Sequence, residues 1–304
     1  MTATSVANLT SPQRDRGYIT PDMFRTHTRA GVPTDNLVPK GTPADQEAAL
    51  AELIDEAASW VNDHAEQVFY ASVDTVSQQV NVDGNGYVTI FPRYRPVIGL
   101  VRFGVGVYPN NVQDLDDLSG TGVTDDYFTV PTLSTARLTS SEGPLQFGGA
   151  VSSWSDVWVS YDYVHSYPVG LLTAPIEATD TTIAVDETAG IIAGKTWLTL
   201  RAGARRWKFL ATSVSTADAG GLGSGPGLIG CEAAPWDVPN PSIPVQVDNL
   251  PSSLITVNVL VTRALIKQKP SFTPKGGKKG GEAAGDDYAE AWEILSKHLK
   301  VAQT

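Results

Sequence analysis

Residues with the spacing of a calcium-binding loop form the most chemically suggestive pattern in this sequence. Oxygen-bearing side chains and a turn glycine occur at Asn81, Asp83, Asn85 and Gly86, as they do early in an EF-hand loop. The pattern fails at its first position, which is Asn, and at its twelfth, where Pro92 replaces the bidentate Glu. Because the flanking residues alternate as strands do, the run predicts the turn of a β-hairpin and no metal site.

The other reactive side chains are scattered, and they predict no catalytic, cofactor or metal site. The four histidines (His27, His64, His165 and His298) are far apart in sequence and lack the spacing of metal ligands. His64 and His298 fall near the ends of predicted helices, where a protonated imidazole complements the helix dipole. Cys231 is the only cysteine and is predicted to be a buried structural thiol. No G-x-S-x-G motif occurs, and no helical pattern follows the glycine-rich run 219–230.

Charge is distributed unevenly along the chain. The net charge is −11, which argues against a general nucleic-acid binder, because such proteins contact phosphates through clustered Lys and Arg. One run nevertheless contains six basic residues and no acidic one: Arg263, Lys267, Lys269, Lys275, Lys278 and Lys279. Two interpretations remain open. The run is a solvated flexible loop, or it is an arm that faces DNA or an acidic partner.

Helix signals are clearest near the N-terminus. Thr20 and Pro21 predict the start of a short helix, and Thr42 with Asp45 predicts the start of a long one. The long helix has an apolar stripe at intervals of three and four: Leu50, Leu53, Ile54, Ala57, Val61, Ala65 and Val68. A last helix is predicted from Asp286 to about Lys300, with an apolar face formed by Tyr288, Trp292, Leu295 and Leu299.

Strand patterns occupy most of the middle of the chain. They cover a hairpin within 76–103, a strand from Pro96, a short strand at 126–130 and an aromatic-rich strand at 156–164. The aromatic strand is interpreted as packing in a core or between subunits, or as a carbohydrate platform. Residues 170–250 are rich in Thr, Gly, Pro and small apolar residues, which predicts a small separate β domain. Periodicity alone leaves residues 252–267 open between strand and helix.

The order of five phrases resembles the head–tail connector (adaptor) family of long-tailed bacteriophages. They are YITPDMF at 18–24, LAELIDEAASWVND at 50–63, IFPRYRPVIGLVRFG at 90–104, VWVSYDYVHSYP at 157–168 and YAEAWEILSKHL at 288–299. Two features depart from the family pattern. The glycine of the family's Tyr-x-x-Gly phrase is missing near Val164, and a β-rich stretch separates Pro168 from Pro251.

The resemblance implies an α+β fold with a helical connector core, a β-hairpin and strand portion, and an inserted small all-β domain. The corresponding domains are a flexible arm at 1–17, a core at 18–169 plus 251–304, and an insert at 170–250. The resemblance also favours a helix at 252–267.

The function that the resemblance implies is structural and not enzymatic, with no cofactor. Copies would form a ring, usually of twelve, that binds the portal protein, continues the channel for double-stranded DNA without sequence specificity, and docks the next connector, stopper or tail protein. The basic run and the last helix are the portal-side candidates. The protein is expected in the virion neck, and in the host cytoplasm during assembly. No apolar run approaches the ~20 residues that span a membrane, and the N-terminus has no signal-peptide pattern.

Two other function classes remain open. The chain is a tail or baseplate structural protein whose β domain binds host-surface glycans through Trp197 or Trp207, or it is an enzyme whose site has no recognisable motif. The composition, with 41% hydrophobic residues, fits a chain with one or two hydrophobic cores in each case.

Overall fold

The computed structural model describes residues 17–83, 87–106, 108–115, 118, 120–131, 156–216, 225–238, 244–269 and 280–301. These residues form two compact units. The first unit comprises residues 71–166, and the second comprises residues 17–70 together with the residues from 167 onward. The predicted N-terminal arm lies outside the described residues except for Gly17.

The first unit contains two antiparallel sheets. One is formed by β1 (Ser72–Asn81), β3 (Val97–Gly106), β4 (Val112–Asp114) and β7 (Asp156–His165), in the order β1–β7–β3–β4. The other is formed by β2 (Tyr87–Ile90), β5 (Gly122–Val123) and β6 (Phe128–Pro131), in the order β2–β6–β5. The longest pairing joins β1 to β7, from Ser72 opposite His165 to Asn81 opposite Asp156.

An aromatic core is shared by the two sheets of the first unit. Phe128 from the second sheet contacts Tyr161 of β7 edge to face, with ring centroids 5.1 Å apart, and Phe103 of β3 packs beside both rings. The alternation predicted for β7 is confirmed, because Tyr161 and Tyr163 are buried whereas Trp158 lies on the other face and is partly exposed. Aromatic pairs of this kind add ~0.5–1.5 kcal/mol to the effect of burial alone.

The second unit contains the helices: α1 (Pro21–Thr26), α2 (Pro43–Ala65), α3 (Ser252–Gln268) and α4 (Gly280–Val301). The predicted start of α2 is confirmed. The Thr42 hydroxyl accepts a hydrogen bond from the Asp45 amide, and the Asp45 carboxylate accepts one from the Thr42 amide at 2.6 Å. The short helix begins in the same way, with Thr20 capping the Met23 amide.

One hydrophobic core joins these four helices. It contains Phe24 from α1, the stripe of α2 from Leu50 to Val61, seven apolar residues of α3, and Ala291 with Leu295 from α4. Tyr18 anchors the N-terminal segment to this core, because its hydroxyl donates to Asn62 and accepts the amide of Phe69 at 2.7 Å. Burial raises the pKa of Tyr18 above its usual value, so the hydroxyl keeps its proton.

The second unit also contains two antiparallel sheets. One is formed by β8 (Val169–Leu171), β10 (Trp197–Ala202), β11 (Arg205–Leu210) and β14 (Gln246–Asp248), in the order β11–β10–β14–β8. The other is formed by β9 (Thr182–Val185), β12 (Ser213–Thr216) and β13 (Gly227–Gly230), in the order β12–β13–β9. Their apolar side chains form a second core, which includes Cys231. The prediction of a buried thiol is confirmed, and burial raises its pKa to about 11.

The predicted helical connector core is wrong. In the described part of the chain, fourteen strands form four antiparallel sheets, against only four helices. The α+β class is partly right, because helices and sheets both occur, but strands dominate. The physical reason is that residues 71–166 close a sheet-on-sheet core of their own and do not decorate a helical one.

Three further expectations are answered by the helices and strands. The helix at 252–267 is confirmed as α3. The last helix starts earlier than predicted, at Gly280, so residues 280–285 are helical and do not belong to a loop. The predicted hairpin around Asp83 is wrong in its strand pairing, because β1 pairs with β7 and β2 pairs with β6, although the Asp83 amide donates to the Tyr87 carbonyl at 2.9 Å, as a turn there requires. Val88 and Ile90 of β2 are buried in the core that the two sheets of the first unit share.

The predicted domain division stays a prediction. Residues 172–247 do contribute a hydrophobic core of their own, as a small β domain would. They nevertheless belong to the same compact unit as the four helices, whereas residues 71–166 form the other unit.

Candidate functional site

The predicted portal-facing basic run begins inside the helical layer. Arg263 of α3 donates from Nε and Nη2 to the two carboxylate oxygens of Asp287 on α4. Lys267, one turn further along α3, donates to the same carboxylate at 2.7 Å. The Asp287 side chain is 5% exposed, so these contacts fasten α3 to α4. Arg263 and Lys267 therefore act as structural residues in this chain.

The rest of the basic run is divided between exposed and undescribed residues. Lys269 follows the end of α3 and is exposed. Lys275, Lys278 and Lys279 lie outside the described residues, so their role as portal- or DNA-facing groups stays a prediction.

The portal-side candidates on α4 differ in accessibility. Leu295 is fully buried in the helical core, and Tyr288 and Leu299 are partly buried against it. Trp292 is 46% exposed. Of the four side chains predicted for this role, Trp292 presents the largest accessible fraction of its surface, whereas Leu295 stabilises the chain's own core.

An aromatic surface surrounds Trp292 where α4 lies beside α2. The rings of Trp60 and His64 stack with centroids 3.8 Å apart, and His64 Nδ1 lies 2.8 Å from the Trp60 carbonyl oxygen. Tyr288 and Trp292 pack against these two rings at 5.6 and 5.8 Å. Burial, followed by the nearby Glu56 carboxylate, raises the pKa of Tyr288. Partly exposed aromatic rings of this kind are common in protein interfaces.

Acidic residues line the exposed side of α2. Glu52, Glu56 and Asp63 are exposed, and at 100° per residue they lie within ~40° of one another around the helix axis. We call these three residues the acidic helix face. No Lys or Arg occurs anywhere in α2, so the face has a uniform negative charge.

A basic surface that the predictions missed lies on the β10–β11 hairpin. Four exposed cations and one exposed aromatic ring form what we call the basic strip: Lys195, Trp197, Arg205, Arg206 and Lys208. Its sequence signal is a stretch from Thr188 to Ala217 that contains five basic residues and no acidic one. The fifth, Arg201, is not part of the strip because it pairs with the buried Asp248.

The register of the hairpin explains why Arg206 and Lys208 are exposed, whereas Arg205 alternates with the buried face and is exposed opposite Ala202, next to the turn. Thr199 lies opposite Lys208 and Arg201 opposite Arg206 on one face, whereas Leu200 lies opposite Trp207 on the buried face. The Lys208 ammonium lies 5.5 Å from the centre of the Trp197 ring, a cation–π contact that holds both side chains on the surface. β11 is the edge strand of its sheet. The strip therefore lies at the edge of that sheet.

A buried group in the first unit has the residue types of a nucleophile and base. The His165 ring nitrogens lie 3.2 Å from the Ser72 hydroxyl and 2.8 Å from the Ser166 hydroxyl. Burial lowers the pKa of His165 to about 4, so the imidazole is neutral near pH 7. All three side chains are shielded from solvent, and their hydroxyls bond to the ring. We interpret the group as a structural polar network.

The other residues that the sequence singled out, in the calcium-loop pattern and at His298, form no metal or dipole site among the described residues. The Asp83 carboxylate, a ligand candidate in the calcium-loop pattern, accepts the Tyr87 amide at 2.9 Å. Residues 84–86 lie outside the described part. His298 does not support the predicted dipole role, because burial lowers its pKa and so disfavours the imidazolium. Among the described residues, no three His, Cys, Asp or Glu side chains are grouped as metal ligands.

An apolar cleft lies beside α2 in the second unit. Its volume is about 180 Å³, and Ile19, Ile54, Tyr70 and Leu171 form much of its wall. None of the predicted site residues lines it. No described helix combines the length and apolar character that a membrane crossing requires.

Searches against protein-family models, curated proteins and solved structures found no match to this chain.

Proposed function

We propose that this chain is a structural subunit of a long-tailed bacteriophage, which forms a ring between portal and tail. The ring would continue the DNA channel and dock the next neck or tail protein. It would be located in the virion neck after assembly in the host cytoplasm. The strand-dominated fold means that this role would be carried by a subunit whose described residues form four helices and four antiparallel sheets.

One observation carries the proposal: within each unit, the phrases that resemble connector proteins pack against one another. Residues 18–24, 50–63 and 288–299 contribute to a single hydrophobic core, although the first and last are far apart in sequence. The two β phrases supply β3 and β7, which are neighbouring strands. A resemblance that consists of packing patterns is meaningful when the matching segments contact one another, because their side chains then constrain each other.

The charge of the chain is compatible with this role. A channel that DNA must traverse should not hold phosphates tightly, because each neutralised phosphate adds affinity. The net charge of −11 meets that requirement. The basic groups that remain exposed, such as Lys269 and the basic strip, are available to acidic protein surfaces.

Localisation in particles tests the proposal. Antibodies against the purified chain are applied to particles induced from the strain that carries its gene. We expect labelling at the head–tail junction, and disruption of the gene should leave filled heads without tails. Labelling at the tail tip, or particles that lack the chain, would contradict the proposal.

A second candidate is a tail or baseplate protein whose β domain binds glycans. The observation that favours it is Trp197, which is 49% exposed on β10, because sugars stack on accessible aromatic rings. Trp207, the other residue predicted for this role, is 8% exposed and belongs to the core. Binding on a glycan array that is lost in Trp197→Ala but kept in Trp292→Ala, the matched exposed tryptophan, would support this candidate.

A further inference from the structure

We propose that copies of this chain associate head to tail, with the basic strip of one copy on the acidic helix face of the next. The inference rests on the proposed function only in that the contact would close a ring of such subunits. The contact itself follows from the surfaces that one copy presents.

The basic strip is a concentrated charge on an otherwise acidic chain. Its cations (Lys195, Arg205, Arg206 and Lys208) are exposed, and none of them forms an ion pair with a described residue. The contrast with Arg201 is informative, because that guanidinium on the same hairpin is 10% exposed and bonded to Asp248. The strip is therefore the part of the hairpin whose charge no described residue compensates with an ion pair.

The acidic helix face is the complementary surface. Two other acids of α2 are used locally, Asp45 in the N-terminal cap and Glu47 in a pair with Arg25. Glu52, Glu56 and Asp63 are exposed and form no ion pair with a described residue. The strip and the face thus have opposite charge, and neither forms an ion pair among the described residues.

The two surfaces also match in length and in chemistry. From Glu52 to Asp63 the helix rises ~16 Å, and from Lys195 to the level of Arg206 the hairpin extends ~20 Å. An exposed tryptophan lies in or near each surface: Trp197 in the strip and Trp292 near α2. Aromatic rings beside cations add cation–π attraction to the ion pairs.

A second copy satisfies these surfaces better than DNA does. DNA could meet the basic strip, but it would be repelled by the rest of a chain with net charge −11, and it would leave the acidic helix face unpaired. A head-to-tail contact uses both surfaces of every copy once. Contacts of that kind are heterologous, and they generate closed rings when the rotation between copies permits it.

Charge reversal of the full-length chain tests the inference. The strip variant is Arg205→Glu with Arg206→Glu, and the face variant is Glu52→Lys with Glu56→Lys. The control is Lys40→Glu with Lys297→Glu, which changes the net charge as the strip variant does but at exposed positions elsewhere. Because all six side chains are exposed, the circular dichroism and melting temperature should stay close to wild type.

Self-association is measured by sedimentation equilibrium and native mass spectrometry. In ~50 mM salt we expect concentration-dependent oligomers of the wild type and the control, with a Kd that rises at least about tenfold in ~500 mM salt. Each reversal variant alone should weaken association at least about tenfold. An equimolar mixture of the two should restore it, because each reversed surface then meets its complement.

Several results would overturn the inference. They are a wild type that stays monomeric at ~0.5 mM in low salt, a reversal variant that associates as well as the control, and a mixture that shows no recovery. Loss of duplex-DNA binding in the strip variant, with self-association unchanged, would instead identify the strip as a DNA site. Particle labelling is independent of these results. Charge-dependent association together with labelling at the tail tip would contradict the proposed function and leave this inference standing.

Discussion

Replacing Arg201 with Met should destabilise the second unit more than any other single charge removal on its β sheets. Arg201 on β10 donates from Nε at 2.8 Å and from Nη2 at 3.2 Å to the carboxylate of Asp248 on β14. That carboxylate is fully buried and also accepts Gln246 Nε2 and the Leu250 amide, both at 3.0 Å. Because Leu250 lies two residues before α3, next to its N-cap Pro251, the pair connects the sheet to the start of that helix.

The expected cost is ~3–5 kcal/mol, because the substitution leaves a buried carboxylate without its counter-charge. Had the pair been exposed, the cost would be only ~0.2–1 kcal/mol. The 0% exposure of Asp248 selects the larger figure. Met has a similar length to the Arg stem, so the loss of packing is small. Two hydrogen bonds to Asp248 remain from Gln246 and Leu250, which should keep the loss within this range.

Urea unfolding followed by tryptophan fluorescence measures the effect, because Trp207 is buried on β11 beside Arg201. The matched control is Arg206→Met, the register partner of Arg201, which is exposed and should cost less than ~0.5 kcal/mol. Adding Asp248→Asn to Arg201→Met should recover part of the loss, with a coupling energy of at least ~1 kcal/mol. Equal effects of Arg201→Met and Arg206→Met would refute the reasoning.

Three further measurements test buried polar groups. His165, whose pKa burial lowers to about 4, binds a proton in the unfolded chain but not in the folded one between pH ~6.5 and ~4. Stability should therefore fall by ~3 kcal/mol over that range as the pH drops, and His165→Gln should flatten the pH profile of urea unfolding; equal slopes would contradict this. Asn258 of α3 is fully buried, and its amide has no hydrogen-bond partner among the described residues. Asn258→Leu should therefore raise the free energy of unfolding by ~1–3 kcal/mol in thermal unfolding. A loss of stability would mean that the amide has a partner. Tyr18→Phe removes the acceptor of the Phe69 amide and should cost ~1–3 kcal/mol, whereas a cost below ~0.5 kcal/mol would show that water replaces the hydroxyl.

Local signals predicted the helices well. The start of α2 was evident from Thr42, Pro43 and Asp45, because a cap and a capping box depend on residues within one turn. The strand at 156–164 was evident for a similar reason, since alternation is visible in the sequence itself. The buried Cys231 was predicted from the usual burial of a free cysteine.

Strand pairing was predicted less well. The run around Asp83 looked like a hairpin, yet β1 pairs with β7, whose residues lie some eighty positions later in the chain. A turn pattern indicates where a chain reverses, but not which strand provides the hydrogen-bond partner. The balance between sheets and helices was misjudged for the same reason, because the helical phrases were recognisable while the sheets depend on distant pairing.

The candidate site was only partly predictable. Arg263 and Lys267 were correctly seen as a cluster of charge, but Asp287, twenty residues beyond Lys267, neutralises both. The basic strip was visible as an acid-free stretch from Thr188 to Ala217. Its division into a buried Arg201 and an exposed Arg206 follows only from the register and from Asp248 on another strand.

The sequence by itself determined where α1 and α2 begin, which faces of the clearest elements are apolar, and where charge concentrates, because caps, periodicity and composition act over a few residues. Only the tertiary structure decided which strands pair, which charges are neutralised and which remain exposed. The physical reason is that hydrogen-bond and ion-pair partners are set by proximity in space. Asp248, Asp287 and β7 meet their partners only after distant segments have packed together.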